Sequence, residues 1–389
     1  MKILHVIPSI DPATGGPAEG LRQLCQIYHQ GGHEVDVFSL DDPGSVRKFN
    51  FPAPVFALGP GWGLYGYAPR AERWFHQNLS RYDVVFINCI WQYNTLAAYR
   101  ALAKTTIPYA VFTHGMLDPY FKKTFPLKHI KKVIYWHLFL RRILRCATAV
   151  LFTCEEEKIL ARKSFSGYQV RETVVPYGIF GPDCDTALAA EEFLEKWPAL
   201  RGNRLAITMG RIHPKKGIDI LIEAFARTLS QDPSRHLVIA GPDKDNLQPG
   251  LLALANRLGI APRITFTGML TGSIKWGALS ASEVFVIPSH QENFGIVIPE
   301  AMACNLPVIL SDKVNIWREV ANHRAGLVCN DTVDGTSAAL ARWQSLSPIE
   351  IADLRLRSRR CFDLLFNYDT TAKKALDIVD HVAHPSEPL

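Results

Sequence analysis

Short apolar, β-branched runs alternate with longer amphipathic stretches along the whole chain, and they do so in two successive series. The first series of expected strands is 3–7, 34–39, 84–88, 109–113, 149–153 and 173–175; the second is 205–209, 236–240, 264–267, 284–288, 308–311 and 326–328. Helical periodicity falls between them, as at 18–30, 219–230, 250–258 and 296–303. Strands apolar on both faces and separated by helices pair in parallel under a cover on each side. Two such series predict an α/β protein of two Rossmann-like, doubly wound parallel-sheet domains. The length of 389 residues agrees, at roughly 100–200 residues per domain. Turn formers at Pro176-Tyr177-Gly178 and a polar stretch at 181–195, read as a linker, place the boundary. The expected domains are 1–178 and 179–367, and an amphipathic helix at 368–384 forms the tail.

Composition narrows the class. A hydrophobic share of 48% with 21% charged residues excludes wholesale disorder. The net charge of +6 is too mild to imply a nucleic-acid partner, and none is expected. No run approaches the roughly 18 apolar residues of a spanning helix. The apolar start, Met1 to Pro8, is too short for a signal peptide, so a cytoplasmic protein is expected. Eight cysteines occur singly and never as C-x-x-C, which reads as buried small hydrophobes in a reducing compartment.

Open α/β sheets bind ligands beyond the carboxyl ends of their strands, so with two sheets the cleft between them is the expected site. Gly15-Gly16-Pro17 follows the first strand and opens the first helix; it is either a plain turn or a place where backbone approaches an anion. Gly210-Arg211-Ile212-His213-Pro214-Lys215-Lys216-Gly217 holds the matching place in the second half. Its two cations, Arg211 and Lys216, converge with a helix N-terminus, as a diphosphate site needs. The stretch from Glu292 to Glu300 puts one carboxylate in a loop and the other on a helix starting near Gly295, with Asn293, Phe294, Gly295 and Ile296 offering amides between them. Carboxylates suit sugar hydroxyls because they accept charge-assisted hydrogen bonds. His114 sits at the carboxyl end of a first-half strand, placed either to touch a ligand or to serve structure.

Two literal motif matches are set aside. Gly61–Gly66 fits G-x-G-x-x-G but lies outside the first βα turn and lacks the acidic residue further on. Asp243-Lys244-Asp245 has the spacing of a metal-bound diphosphate site without a further ligand nearby, so no metal is expected. One charge feature remains. Between Pro119 and Cys154 there is no acidic residue, while Lys122, Lys123, Lys128, Lys131, Lys132, Arg141, Arg142 and Arg145 interleave with aliphatic and aromatic residues. That pattern fits either an acceptor or anionic-membrane face or a core-packed helix with snorkelling cations.

Taken in order, these positions resemble the retaining glycosyltransferases of family four, which have the GT-B fold. The likeness includes Gly15-Gly16-Pro17, Tyr67-Ala68-Pro69, His114-Gly115-Met116-Leu117-Asp118-Pro119, Pro176-Tyr177-Gly178, Gly210–Gly217, the Glu292/Glu300 pair and Phe366-Asn367-Tyr368-Asp369. The Tyr-x-Pro and His-Gly-Met-Leu-Asp-Pro strings resemble the polysaccharide-building branch of bacterial enzymes. The resemblance implies two domains facing a cleft, with the tail helix crossing back to the first. It implies transfer of a hexose from a nucleotide-sugar, UDP-glucose first and GDP-mannose second, to a saccharide or lipid-linked acceptor. It casts Arg211 and Lys216 on the diphosphate, Glu300 on the ribose, Glu292 and His114 on the donor sugar, and Gly16 near phosphates or acceptor, with no cofactor or metal. A sugar-nucleotide epimerase on the same fold, a nicotinamide dehydrogenase and an inactive membrane-bound scaffold are the rival readings. Tyr177 and Asn305 stand where the family often has Asn and Gly. Asn305 tolerates the left-handed conformation a helix end needs, and Tyr177 is expected to leave the site residues untouched.

Overall fold

The computed structural model describes residues 1–120, 122 and 126–384. The chain forms two compact units: Met1–Gly178 joined by the tail from Asp369 onward, and Ile179–Tyr368. In the first unit a seven-stranded parallel sheet comprises β1 (Lys2–Val6), β2 (Glu34–Ser39), β3 (Val55–Ala57), β4 (Val84–Asn88), β5 (Tyr109–Phe112), β6 (Ala149–Phe152) and β7 (Glu172–Val174). Its order is β3-β2-β1-β4-β5-β6-β7, with Ile3 opposite both Val35 and Val84. The second unit has six parallel strands: β8 (Arg204–Met209), β9 (Arg235–Ala240), β10 (Ile264–Gly268), β11 (Ser282–Ile287), β12 (Val308–Ser311) and β13 (Gly326–Cys329). Their order is β10-β9-β8-β11-β12-β13. Both are doubly wound α/β sheets, as the two series imply. Strand order reverses between β1 and β4 in one sheet and between β8 and β11 in the other, and loops diverging there leave a crevice.

Central strands are buried on both faces; β4 is buried along its whole length, from Val84 to Asn88. The short strand β3 is only half-buried, which is why its apolar signal is weak. The tail helix Tyr368–Ala383 packs within the first unit, where Leu376 lies against Gly31.

Two expectations need correction. Residues 181–195 do not form a linker: most of them belong to helix Thr186–Lys196, whose N-terminus Asp185 caps through the amides of Ala187 and Leu188. Ala189 and Phe193 supply its buried face. Polar composition concealed the helix because its apolar stripe is narrow. The cysteines are also not uniformly buried, since Cys146 is exposed.

Helix Thr186–Lys196 approaches helix Gly272–Ser280 so closely that a Cβ at Gly277 would lie 2.0 Å from the Ala189 carbonyl oxygen. Gly→Ala inside a helix ordinarily stabilises by roughly 0.5–1 kcal/mol. Here the backbone contact should reverse the sign, so Gly277→Ala is expected to lower unfolding stability by about 1–3 kcal/mol. Urea denaturation checks this; a stabilised variant would contradict the close crossing.

Candidate functional site

In the second unit the loops after β8 and β11 are stitched together at the point of strand-order reversal. After β8 the chain passes exposed Arg211 into the short 3-10 turn Pro214–Lys216, where the Lys215 amide donates to His213 Nδ1 at 3.1 Å. Gly217 ends the turn with φ 62° and starts helix Ile218–Arg227. Only glycine fits there, because a Cβ would lie 2.3 Å from the Pro288 carbonyl oxygen beyond β11. The His290 amide donates to the Lys215 carbonyl at 2.8 Å, and Lys215 Nζ donates to Gln291 Oε1 at 3.1 Å. Lys216 Nζ pairs with Glu292 Oε2, each side chain about one-fifth exposed. Partial burial leaves this pair less screened than a surface ion pair.

Glu292 is held from behind: its amide donates to Lys313 O and its carbonyl accepts from the Asn315 amide. Asn293 Oδ1 accepts from Asn315 Nδ2 at 3.2 Å. Phe294 is buried edge-on against Phe366, with ring centroids 5.7 Å apart. Gly295 adopts φ 68°. The helix spans Val297–Ala303, so it begins two residues later than expected and leaves Ile296 as its N-cap. Pro299 falls in the first turn, where a missing N–H loses no intrahelical bond. Glu300 is buried, and its Oε1 accepts from Lys275 Nζ at 2.7 Å. Lys275 also lies 4.1 Å from the Trp276 ring centroid. Nothing local in the sequence marks Lys275, which reaches Glu300 from helix Gly272–Ser280. Asn305 closes the helix at φ 56°, the left-handed cap its residue type allows.

In the first unit His114 follows β5 with φ 48° and joins a buried neutral network. Asn88 Nδ2 faces the carbonyls of Val6 and Phe86 and donates to His5 Nδ1 at 3.1 Å. That orientation leaves Asn88 Oδ1 to accept from His114 Nε2 at 3.1 Å. Tyr177 Oη donates to His114 Nδ1 at 2.5 Å, and the two rings stack. The expectation that Tyr177 leaves the site residues untouched is therefore wrong. A Cβ at Gly20 would lie 2.2 Å from the Tyr177 ring, so the helix Gly16–Gln30 must carry glycine there. With both ring nitrogens bonded within the protein, His114 offers a ligand its ring edge and backbone unless one of these bonds is exchanged. Burial pushes its pKa down to about 3, so the ring is neutral. Beneath it, buried Glu157 accepts from Thr113 Oγ1 and the Gly115 amide through Oε1, and from the Thr153 amide and hydroxyl through Oε2. This carboxylate, silent in the sequence, holds the His114-Gly115 turn. Gly16 opens its helix, and a Cβ there would meet nothing within 4 Å.

The basic segment runs through helix Pro126–Tyr135, a π-helical turn Trp136–Leu140 and helix Arg141–Cys146. Lys122, Lys128, Lys131, Arg142 and Arg145 are exposed. Lys132 lies 4.6 Å from the Trp91 ring centroid, Arg141 packs beside Gly167, and Lys123 lies outside the described residues. Asp243 caps the helix Gln248–Arg257 region by accepting from the amides of Leu247 and Gln248. Among the described residues, no three His, Cys, Asp or Glu side chains gather as a metal site.

Two family descriptions match in succession: "Glycosyl transferase 4-like domain" over residues 15–178 and "Glycosyl transferases group 1" over residues 190–355. The chain belongs to the family-four glycosyltransferases of the GT-B type. The chain is 31% identical over 187 residues to a D-inositol 3-phosphate glycosyltransferase of Segniliparus rotundus, covering 47% of the chain and 39% of that relative. The match thus spans well under half of the relative's length. HepE of Anabaena, solved with UDP and glucose, superimposes with a TM-score of 0.78 at 18% identity, over 98% of the chain and 99% of HepE. The sucrose-phosphate synthase of Thermosynechococcus elongatus gives a TM-score of 0.78 at 22% identity, over 99% and 100%. At these identities the structural likeness is one of fold.

The neutral His114 makes a testable pH signature. Its folded pKa lies below the ordinary 6.5, so the unfolded chain binds the extra proton first as pH falls. The stability this contributes is full above pH 6.5 and is lost as pH drops toward about 3. Replacing His114 with Gln should flatten that part of the stability–pH curve, read by urea unfolding at successive pH values. Tyr177→Phe should cost about 1–3 kcal/mol by leaving buried Nδ1 without its donor; an unchanged midpoint would contradict the bond.

Proposed function

We propose that the chain transfers a hexose from a nucleotide diphosphate donor, UDP-glucose before GDP-mannose, to a saccharide or lipid-linked acceptor with retention at the anomeric carbon. The observation that carries this reading is the Lys216–Glu292 pair at the β8/β11 reversal, in a chain of this family. HepE, solved with UDP-glucose, lends support to the choice of donor nucleotide.

In the proposed reaction Lys216 and Arg211 meet the diphosphate, and Lys216 exchanges part of its contact with Glu292 for a phosphate oxygen. As the bond between the sugar's anomeric carbon and the phosphate oxygen breaks, negative charge grows on that oxygen, where fixed cations act most strongly. The acceptor oxygen bonds to the anomeric carbon on the same face, and its proton passes to the leaving phosphate oxygen. Glu292, relieved of Lys216, accepts from donor-sugar hydroxyls, while Glu300, oriented by Lys275, accepts from the ribose. The amides at Phe294 and Gly295 donate to phosphate or sugar, and His114 orients the sugar as a neutral group. Since the cations offset the leaving-group charge, no metal is assigned.

A thermal-shift panel of UDP-glucose, GDP-mannose and NADH tests the reading, because a ligand that binds the folded state raises its stability by mass action. UDP-glucose is expected to give the largest shift; a shift from NADH alone would overturn the assignment. Lys216→Ala is expected to lower kcat by about 100-fold or more, and Glu300→Ala to raise the donor KM. Turnover should survive EDTA. Near wild-type kinetics in both variants, or loss of activity in chelator, would contradict the proposed roles.

A further inference from the structure

The helix Pro126–Tyr135, none of whose residues is fully buried, and the π-helical turn Trp136–Leu140 together expose a row of large aliphatic residues. Trp136 and Leu140 lie in the core, whereas Leu127, Ile130, Ile134 and Leu138 are 79%, 56%, 56% and 64% exposed. Their spacing of three, four and four residues sets them along a single helical stripe. A contiguous row of this kind marks an interaction surface, unlike scattered apolar residues. Exposed Lys128 and Lys131 rise from the same helix, and the surrounding 119–154 segment holds no acidic residue.

We propose that this face docks on an anionic lipid surface, with the four aliphatic side chains entering the headgroup–acyl boundary and Lys128, Lys131 and Arg145 meeting lipid phosphates. A lipid surface satisfies both halves of the pattern, since it offers apolar depth beneath a negative layer. A second copy of the chain would instead set two basic faces against one another, which like-charge repulsion opposes. The proposed face rests on the basic segment from Leu127 to Arg145 and is independent of the donor assignment.

Cosedimentation of the full chain with vesicles tests it. Binding is expected to vesicles of equal parts phosphatidylcholine and phosphatidylglycerol, to weaken with salt, and to be far weaker with phosphatidylcholine alone. Ile130→Asn with Ile134→Asn should lower binding by at least about tenfold, and Lys128→Gln with Lys131→Gln by about fivefold per lysine. Leu127→Asn with Leu138→Asn gives a second apolar pair. Leu356→Asn, at an exposed residue of the second unit, should change nothing. Unaltered melting midpoints show that each variant is folded. Absence of vesicle binding by the wild type, or equal binding by both apolar-pair variants, overturns the proposal. So does gel filtration showing that this stripe seals a dimer that does not bind vesicles.

Discussion

The pair between Lys216 and Glu292 joins two loops that would otherwise part company, one after β8 and one after β11. These strands are neighbours where the sheet order reverses, so their connections lead away in opposite directions and a crevice opens between them. The pair spans it, and the backbone does the rest. Gly217 lets the turn sit against the Pro288 carbonyl, and the His290 amide bonds the Lys215 carbonyl. The loops carrying Lys216 and Glu292 therefore have their positions set before any ligand arrives, and a site whose backbone needs no reordering loses less entropy on binding.

The two units keep polar groups near their strand ends in different ways. The second sets each key carboxylate against a lysine, Glu292 with Lys216 and Glu300 with Lys275. In the proposed reaction Lys216 exchanges its carboxylate partner for a phosphate of the same charge, whereas Lys275 stays to orient Glu300. The first unit relies on a neutral chain of bonds from His5 through Asn88 to His114 and Tyr177, with Glu157 bracing the turn through four donors. Such a network is costly to disturb because any unpaired member stays buried. One arrangement suits exchange and the other suits fixed geometry.

The parallel sheets were legible because their central strands are buried apolar runs, as Val84–Asn88 illustrates. Val55–Ala57 escaped notice since three half-buried residues carry little pattern. The segment at 181–195 misled through composition, its helix being stabilised by a cap and a tight crossing at Gly277. Residues lying on the loops of the site were readable as motifs, whereas Lys275, Glu157 and Tyr177 reach theirs across sequence separations of 25, 42 and 63 residues. No local spacing rule registers contacts of that range. The basic helix was ambiguous for a related reason: its periodicity is the same whether the stripe faces core or solvent, and only the fold shows Ile130 and Ile134 turned outward.

The claim on which the account rests is that the turn between Gly210 and Gly217 reads a second phosphate. Isothermal titration of the full chain with UDP and with UMP isolates that contribution, as the two share base and ribose. The account predicts that UDP binds at least about tenfold more tightly, the worth of one charge-assisted contact, and that the difference shrinks in Lys216→Ala. Equal affinities for the two nucleotides in the wild-type protein would contradict it.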